Sequence, residues 1–139
     1  MPSTESQQTV VWIIDDDDVE SLLIKEALLR TMPDCIMHAV GTAEAASDSL
    51  ADESIPRPHL VILDYFLPRT EAPTLLPTLR AALGWTPIVV LSALSEKADV
   101  ERCFAAQASL FIPKPPSYSG LSTALARVCE VYLNIAVFP

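Results

Sequence analysis

Short apolar runs alternate five times with helical stretches along this 139-residue chain. Most of the runs are rich in Val, Ile and Leu and span only a few residues, which is typical of strands buried on both faces of a parallel sheet. We predict strands at 10–14, 36–40, 60–63, 88–91 and 110–112. Strict alternation of strands and helices predicts an α/β fold, a doubly wound five-stranded parallel sheet with helices on both faces.

Five helices are predicted, one after each strand. They cover about 18–30, 42–50, 75–83, 96–106 and the residues from 119 onward, where an apolar stripe reaches Ile135. Asp17 or Asp18 is the expected N-cap of the first helix, and Thr42 that of the second. The predicted inward residues are Val19, Leu22, Leu23 and Ala27 in the first helix, and Val100, Cys103 and Phe104 in the fourth. Pro77 fits the third helix only within its first turn.

The length suits one domain, which we place at 10–132. We expect residues 1–9 to be disordered or extended, because they are mostly polar. Residues 133–139 are more apolar than a solvated helix end, and we treat them as a C-terminal extension that either contacts a second copy of the chain in a homodimer or packs on its own domain.

Charge and hydropathy exclude several classes of partner. The net charge of −9 argues against nucleic acid, whose binding depends on basic side chains. No apolar run approaches the roughly 18 residues of a bilayer-spanning helix, and the first residues lack the pattern of a signal peptide. The three cysteines are widely separated, which favours reduced thiols. We therefore expect a soluble cytoplasmic protein without membrane contact.

Reactive side chains follow the strands at their carboxyl ends, where ligands bind in such folds. Asp15 and Asp16 follow the first strand, Asp64 the third, Ser92 the fourth and Lys114 the fifth. Clustered carboxylates repel one another unless a proton or cation neutralises them, and Mg²⁺ prefers oxygen ligands of this kind. A carboxylate can also attack phosphorus to form an acyl phosphate. Taken singly, these acids also fit a solvated turn, a helix cap or a loop cap.

Four motifs in order resemble the receiver domain of two-component response regulators over about residues 10–132. They are IDDD at 14–17, LDYFLP at 63–68, LSA at 91–93 and FIPKP at 111–115. The resemblance implies a flavodoxin-like receiver fold in which Asp64 is the phosphoacceptor. It also implies a Mg²⁺ site formed by Asp64, by Asp16 directly, by Asp15 largely through metal-bound water, and by the backbone carbonyl of Phe66.

The resemblance further implies that Lys114 pairs with Asp64 or its phosphate, and that Ser92 hydrogen-bonds a phosphoryl oxygen. Phe111 would be the aromatic switch, without the hydroxyl of the commoner tyrosine. In this family the peptide between Lys114 and Pro115 is expected to be cis. Two glycines usual in the family are replaced here, by Ala72 and Gln107, which affects local loop geometry.

The resemblance predicts a stand-alone, chemotaxis-regulator-like response regulator, a signalling protein and not a turnover enzyme. Its expected phosphoryl donor is a sensor histidine kinase or a phosphotransfer protein, and its output partner is a protein that the sequence does not identify. The C-terminus also resembles single-domain regulators associated with phytochrome-type kinases, some of which dimerise through this region.

Two alternatives stay open from the sequence alone. A phosphatase of the haloacid dehalogenase type also uses a strand-end Asp, but it carries a second Asp where this chain has Phe66. A phosphorylation-independent receiver-like binding module would typically lack the acceptor, a metal-binding acid or the lysine.

Overall fold

The computed structural model describes residues 8–134. Its elements in chain order are β1 (Val10–Ile14), α1 (Asp18–Thr31), β2 (Ile36–Val40), α2 (Ala43–Ala51), β3 (Leu60–Asp64), β4 (Phe66–Leu67), β5 (Thr70–Glu71), α3 (Ala72–Leu83), β6 (Ile88–Ser92), α4 (Lys97–Ala105), β7 (Leu110–Pro113), α5 (Tyr118–Cys129) and a π-helical turn (Glu130–Asn134). The predicted N-terminal segment 1–9 and extension 133–139 lie largely outside the described residues, as does Ile135, and stay predictions.

Five strands form one parallel sheet in the order β2-β1-β3-β6-β7. This confirms the predicted doubly wound fold and its five strands. The strand order reverses between β1 and β3, and ligands in such sheets bind at the carboxyl ends beside this switch point. A short antiparallel hairpin of β4 and β5 follows β3 directly. The sequence did not predict it, because strands of two residues have no alternating pattern to detect.

The central strands separate two apolar layers. Every residue of β1, β3 and β6 is buried. Trp12 and Leu63 lie in the layer that includes buried residues of α2, α3 and α4, whereas Ile13 and Ile62 lie in the layer that includes those of α1 and α5. Helices therefore cover both faces, as predicted. Full burial of one such aliphatic side chain stabilises the fold by roughly 1.5–3 kcal/mol.

Helix α1 begins where predicted but presents a different face to the core. The Asp17 carboxylate caps it by accepting hydrogen bonds from the N–H groups of Val19 and Glu20. Two predicted inward residues, Val19 and Leu22, are exposed, Val19 by 68%. The buried residues are Ser21, Ile24, Ala27 and Leu28. Ser21 shares the buried face of the helix with these apolar residues, so Val19 and Leu22 lie on the exposed face.

Helix α3 begins three residues earlier than predicted, at Ala72, and Pro73 occupies its first turn. Pro77 consequently lies inside the helix and not in its first turn, which corrects the prediction. A proline there cannot donate a hydrogen bond to the carbonyl one turn earlier. Leu75, Leu76 and Leu79 are buried around it, so tertiary packing offsets the lost bond.

The second and fifth helices follow the predictions closely. Thr42 caps α2 and Ser117 caps α5 through side-chain hydrogen bonds. In α4, Cys103 is buried as predicted, but Phe104 is exposed, which is a second error of helical phase. Within residues 8–134, no helix combines the length and the apolar character needed to span a membrane.

Candidate functional site

Two buried carboxylates meet at the carboxyl ends of neighbouring strands. Asp15 follows β1 and Asp64 ends β3, and the register of these strands pairs Ile14 with Leu63. Their residues are only 6% and 7% exposed. The parallel pairing alone brings them together, because both strands end at the same edge of the sheet. Burial, as the largest cause, raises the pKa of Asp64, and the nearby Lys114 opposes that rise.

Lys114 reaches this pair from β7. Its ammonium Nζ lies 2.9 Å from Oδ1 of Asp64. Its backbone N–H donates to the carbonyl of Ser92, 2.7 Å away. The hydrogen bond from the Lys114 main chain to Ser92 of β6 therefore positions the lysine ammonium beside the Asp64 carboxylate.

The peptide before Pro115 corrects an expectation drawn from the resemblance. It is trans, as is every peptide bond of residues 8–134. The trans form is the lower-energy state of peptides that precede proline. The bond between the Lys114 N–H and Ser92 holds the main chain so that the lysine side chain reaches Asp64 from a trans backbone.

Glu20 is a fourth side chain in this cluster that the sequence reasoning missed. Oxygens of Asp15, Glu20 and Asp64 lie within 4.8 Å of one another. Glu20 is in the first turn of α1, and its Oε1 accepts a hydrogen bond from Lys114 at 2.6 Å. Its place five residues after Asp15, on the helix that leaves the switch point, is the signal from which it could have been found.

Asp15 provides the test of whether these residues suit a cation. Its Oδ1 accepts from the N–H of Asp17, whereas Oδ2 is buried and has no hydrogen-bond partner among residues 8–134. Burial and then the side chain of Glu20 raise the pKa of Asp15 to about 8. Two ionised carboxylates cannot hydrogen-bond to each other, and a proton shared between them or a bound cation would satisfy that oxygen. A hard divalent cation such as Mg²⁺ fits a donor set made of carboxylate oxygens.

Asp16, Phe66 and Ser92 lie at the same edge but outside this contact network. Asp16 is exposed, and its charge contributes to the raised pKa of Asp64. Phe66 begins β4, two residues beyond Asp64. The Ser92 side chain is buried, and its Oγ accepts from the N–H of Leu94 at 3.1 Å. The structure thus brings together Asp15, Asp64 and Lys114, with Glu20 added.

Tyr65 connects the acidic pocket to α4. It follows Asp64 directly, and its half-buried neighbour Phe111 contacts it edge to face, with ring centroids 6.4 Å apart. Its hydroxyl accepts from Nη2 of Arg102 at 2.6 Å and donates to Oδ1 of Asp99 at 3.1 Å. Burial and then the bond to Asp99 raise the pKa of Tyr65 to about 12, so the hydroxyl stays protonated. The residue after the predicted acceptor is therefore anchored to α4.

The chain is similar to known signalling proteins. Residues 11–126 match the family model of the response regulator receiver domain. The protein-glutamate methylesterase/protein-glutamine glutaminase of Nocardioides sp. is 30% identical over 125 residues, which are 88% of this chain and 33% of that protein. Response regulator Rcp1 of Synechocystis sp. is 22% identical over an alignment of 145 positions, which covers 100% of this chain and 99% of Rcp1.

Solved structures agree with the fold. The phosphorylated cyanobacterial phytochrome response regulator RcpA superimposes with a TM-score of 0.83 at 23% identity, covering 91% of this chain and 94% of that one. The chain spans about a third or less of the length of the methylesterase relatives it matches.

Removing the Tyr65 hydroxyl tests whether it anchors α4. We expect Y65F to lower the free energy of unfolding by about 1–2 kcal/mol, because Asp99 and Arg102 lose a buried partner. Chemical denaturation followed by circular dichroism measures this change. Y118F is the matched control, because the buried Tyr118 hydroxyl has no hydrogen-bond partner in the described part of the chain. Its removal should leave stability unchanged or raise it. Equal stability of Y65F and the unaltered protein would contradict the anchoring role.

Proposed function

Because this chain belongs to the response regulator receiver domain family, we propose that it accepts a phosphoryl group on Asp64 and signals through protein contacts. The donor is a sensor histidine kinase or a phosphotransfer protein, and we expect both partners in the cytoplasm. One observation carries the proposal. The buried Asp64 carboxylate has a lysine ammonium 2.9 Å away and, at the same strand edge, a second buried carboxylate with an unsatisfied oxygen.

In the proposed transfer, an oxygen of Asp64 attacks the phosphorus of a phosphohistidine on the donor. The new O–P bond replaces the P–N bond, whose electron pair leaves with the imidazole nitrogen. Lys114 contacts Oδ1 of Asp64, which leaves Oδ2 as the attacking oxygen. The Lys114 ammonium then offsets the negative charge on the phosphoryl oxygens in the transition state, which speeds the transfer.

The Mg²⁺ ligands that we propose are Asp15, Asp16, Asp64 and the backbone carbonyl of Phe66. When bound, the ion offsets the charge of the carboxylates and of the phosphoryl group and orients its oxygens. Asp15 supports this assignment most strongly, because its buried Oδ2 has no partner within the described part of the protein. Asp16 adds negative charge at the exposed rim of the same edge.

Ser92 and Phe111 are the residues through which we propose that phosphorylation reaches the surface. The Ser92 Oγ now accepts from the N–H of Leu94, and its hydroxyl proton is available to a phosphoryl oxygen on Asp64. Such a bond would draw the loop after β6 toward the pocket. Phe111 packs against Tyr65, beside the face of β6, α4 and β7 that this loop borders.

A second copy of the chain is the partner that we propose for an apolar groove beside α5. Leu110 and Ile112 of β7, Val128 of α5 and Val131 of the π-helical turn line it. Val131 is 55% exposed, and contiguous exposed apolar surface is typical of protein interfaces. In a two-fold dimer the same groove of each copy faces the other, so one apolar patch is enough.

Replacing the acceptor tests the phosphorylation site. D64N should take no label from a phosphorylated histidine kinase or from acetyl phosphate, because an amide oxygen is a far poorer nucleophile than a carboxylate. Autoradiography of the purified protein measures the label. D48N, which changes an exposed Asp of α2, should label like the unaltered protein. Full labelling of D64N would place the acceptor elsewhere. If the unaltered protein takes no label and still binds its output partner, it is the phosphorylation-independent module.

Chelation tests the role of the metal. With EDTA in excess, we expect the rate of labelling from acetyl phosphate to fall by roughly a hundredfold or more, since charge in the pocket is no longer neutralised. Added Mg²⁺ should restore the rate. Labelling at an unchanged rate in EDTA would show that Lys114 alone supports the transfer.

A charge in the groove tests the dimer. V131E should convert a dimer into a monomer, because the glutamate would be desolvated between two apolar surfaces. Sedimentation equilibrium of the full chain measures the mass. V19E is the control, since Val19 is exposed on α1 and should tolerate the same change. A monomeric mass for the unaltered protein would contradict the dimer.

A further inference from the structure

Glu20 and Lys114 form an ion pair that joins the first helix to the last strand of the sheet. The distance from Oε1 to Nζ is 2.6 Å, and the side chains are 22% and 19% exposed. They are 94 positions apart in the chain. Charge-assisted bonds of this length, largely withdrawn from water, are among the stronger hydrogen bonds in proteins.

The same ammonium serves two carboxylates. Lys114 lies 2.6 Å from Glu20 and 2.9 Å from Asp64. A lysine ammonium has three N–H donors, so both contacts can exist together. Glu20 is the closer partner, and nothing in the proposed transfer chemistry requires it.

The position of Glu20 on α1 explains how it holds the lysine. Its N–H donates to the capping carboxylate of Asp17 at 3.1 Å, which secures the main chain of the first helical turn. The neighbouring Ser21 is buried against the sheet. Glu20 therefore projects from a well-anchored turn of the helix, beside the edge of the sheet where Lys114 follows β7.

Phosphorylation changes the balance between the two partners. A carboxylate carries one negative charge, whereas a phosphoryl group carries about −1.5 to −2 near pH 7 and offers three acceptor oxygens. The larger charge attracts the ammonium toward Asp64 and away from Glu20, although its three donors serve both carboxylates in the unphosphorylated arrangement. The stronger its bond to Glu20, the less favourable that movement becomes.

We propose that Glu20 is a positioning residue that holds Lys114 in the unphosphorylated protein and competes with the phosphoryl group for its ammonium. The inference rests on the proposed function of Asp64. Its consequence is that the Glu20 carboxylate weakens binding of a phosphoryl group or its mimic, although it is not itself a reacting group.

Beryllofluoride, a phosphoryl mimic that bonds to carboxylates, tests this competition at saturating Mg²⁺, with binding measured by ¹⁹F NMR. E20Q should bind it about three- to tenfold more tightly, because one charge-assisted bond to Lys114 no longer has to be broken. E20D should shift in the same direction, since its shorter side chain keeps the charge but draws the carboxylate away from Nζ. D18N removes a charge from the same helical turn without touching the described contacts of Lys114, and should bind like the unaltered protein.

Each other result overturns the proposal in a distinct way. If D18N tightens beryllofluoride binding as much as E20Q does, while E20D does not, the effect comes from general repulsion between negative charges. The contact between Glu20 and Lys114 is then not responsible. If E20Q weakens both beryllofluoride binding and Mn²⁺ binding, measured by electron paramagnetic resonance with the metal alone, Glu20 is a metal ligand.

Labelling of the unaltered chain separates this inference from the proposed function. A chain that takes label from acetyl phosphate, together with an E20Q variant of unchanged beryllofluoride affinity, overturns only the role of Glu20. A chain that neither takes label nor binds beryllofluoride overturns both.

Discussion

The ion pair between Lys114 and Asp64 depends on three strands that keep one register. Asp64 ends β3, whose partner β6 provides the Ser92 carbonyl that holds the main chain of Lys114. A one-residue slip of any of these strands would turn every side chain to the opposite face. Close packing on both faces of β3 and β6 opposes that slip, because it would exchange side chains of different size and shape between the two layers. The apolar core thus fixes the distance between the two charges.

The pocket carries more negative charge than its one lysine offsets. Asp15, Glu20 and Asp64 approach within 4.8 Å of one another, and both Asp15 and Asp64 have raised pKa values with burial as the main cause. Such an arrangement is unfavourable for stability taken by itself. In the proposed function it becomes useful, because the carboxylates are already desolvated and aligned for a cation and a phosphoryl donor. The core supplies the stability that this alignment costs.

Sequence patterns predicted the parts of the fold in which one physical requirement dominates. The strands, the caps at Asp17 and Thr42, and the carboxylates at strand ends follow from burial, from unpaired helix N–H groups and from topology. The phase of α1 was not predictable from apolar residues, because Ser21 is buried and Val19 is not. Glu20 was missed for a related reason, since its place five residues after Asp15 is visible in the sequence, whereas the phase of α1 that brings it to Lys114 is not.

Asp64 and Tyr65 show why the proposed phosphoacceptor and α4 cannot move independently. Successive residues at the end of a strand point to opposite faces of the sheet. Asp64 therefore projects into the acidic pocket while Tyr65 projects into the layer below α4, where its hydroxyl binds Arg102 and Asp99. A shift of the main chain at Asp64 must displace the Tyr65 ring, and with it both the edge of Phe111 and the anchor of α4. The peptide between these two residues therefore connects the charge in the pocket directly to the contacts that hold α4.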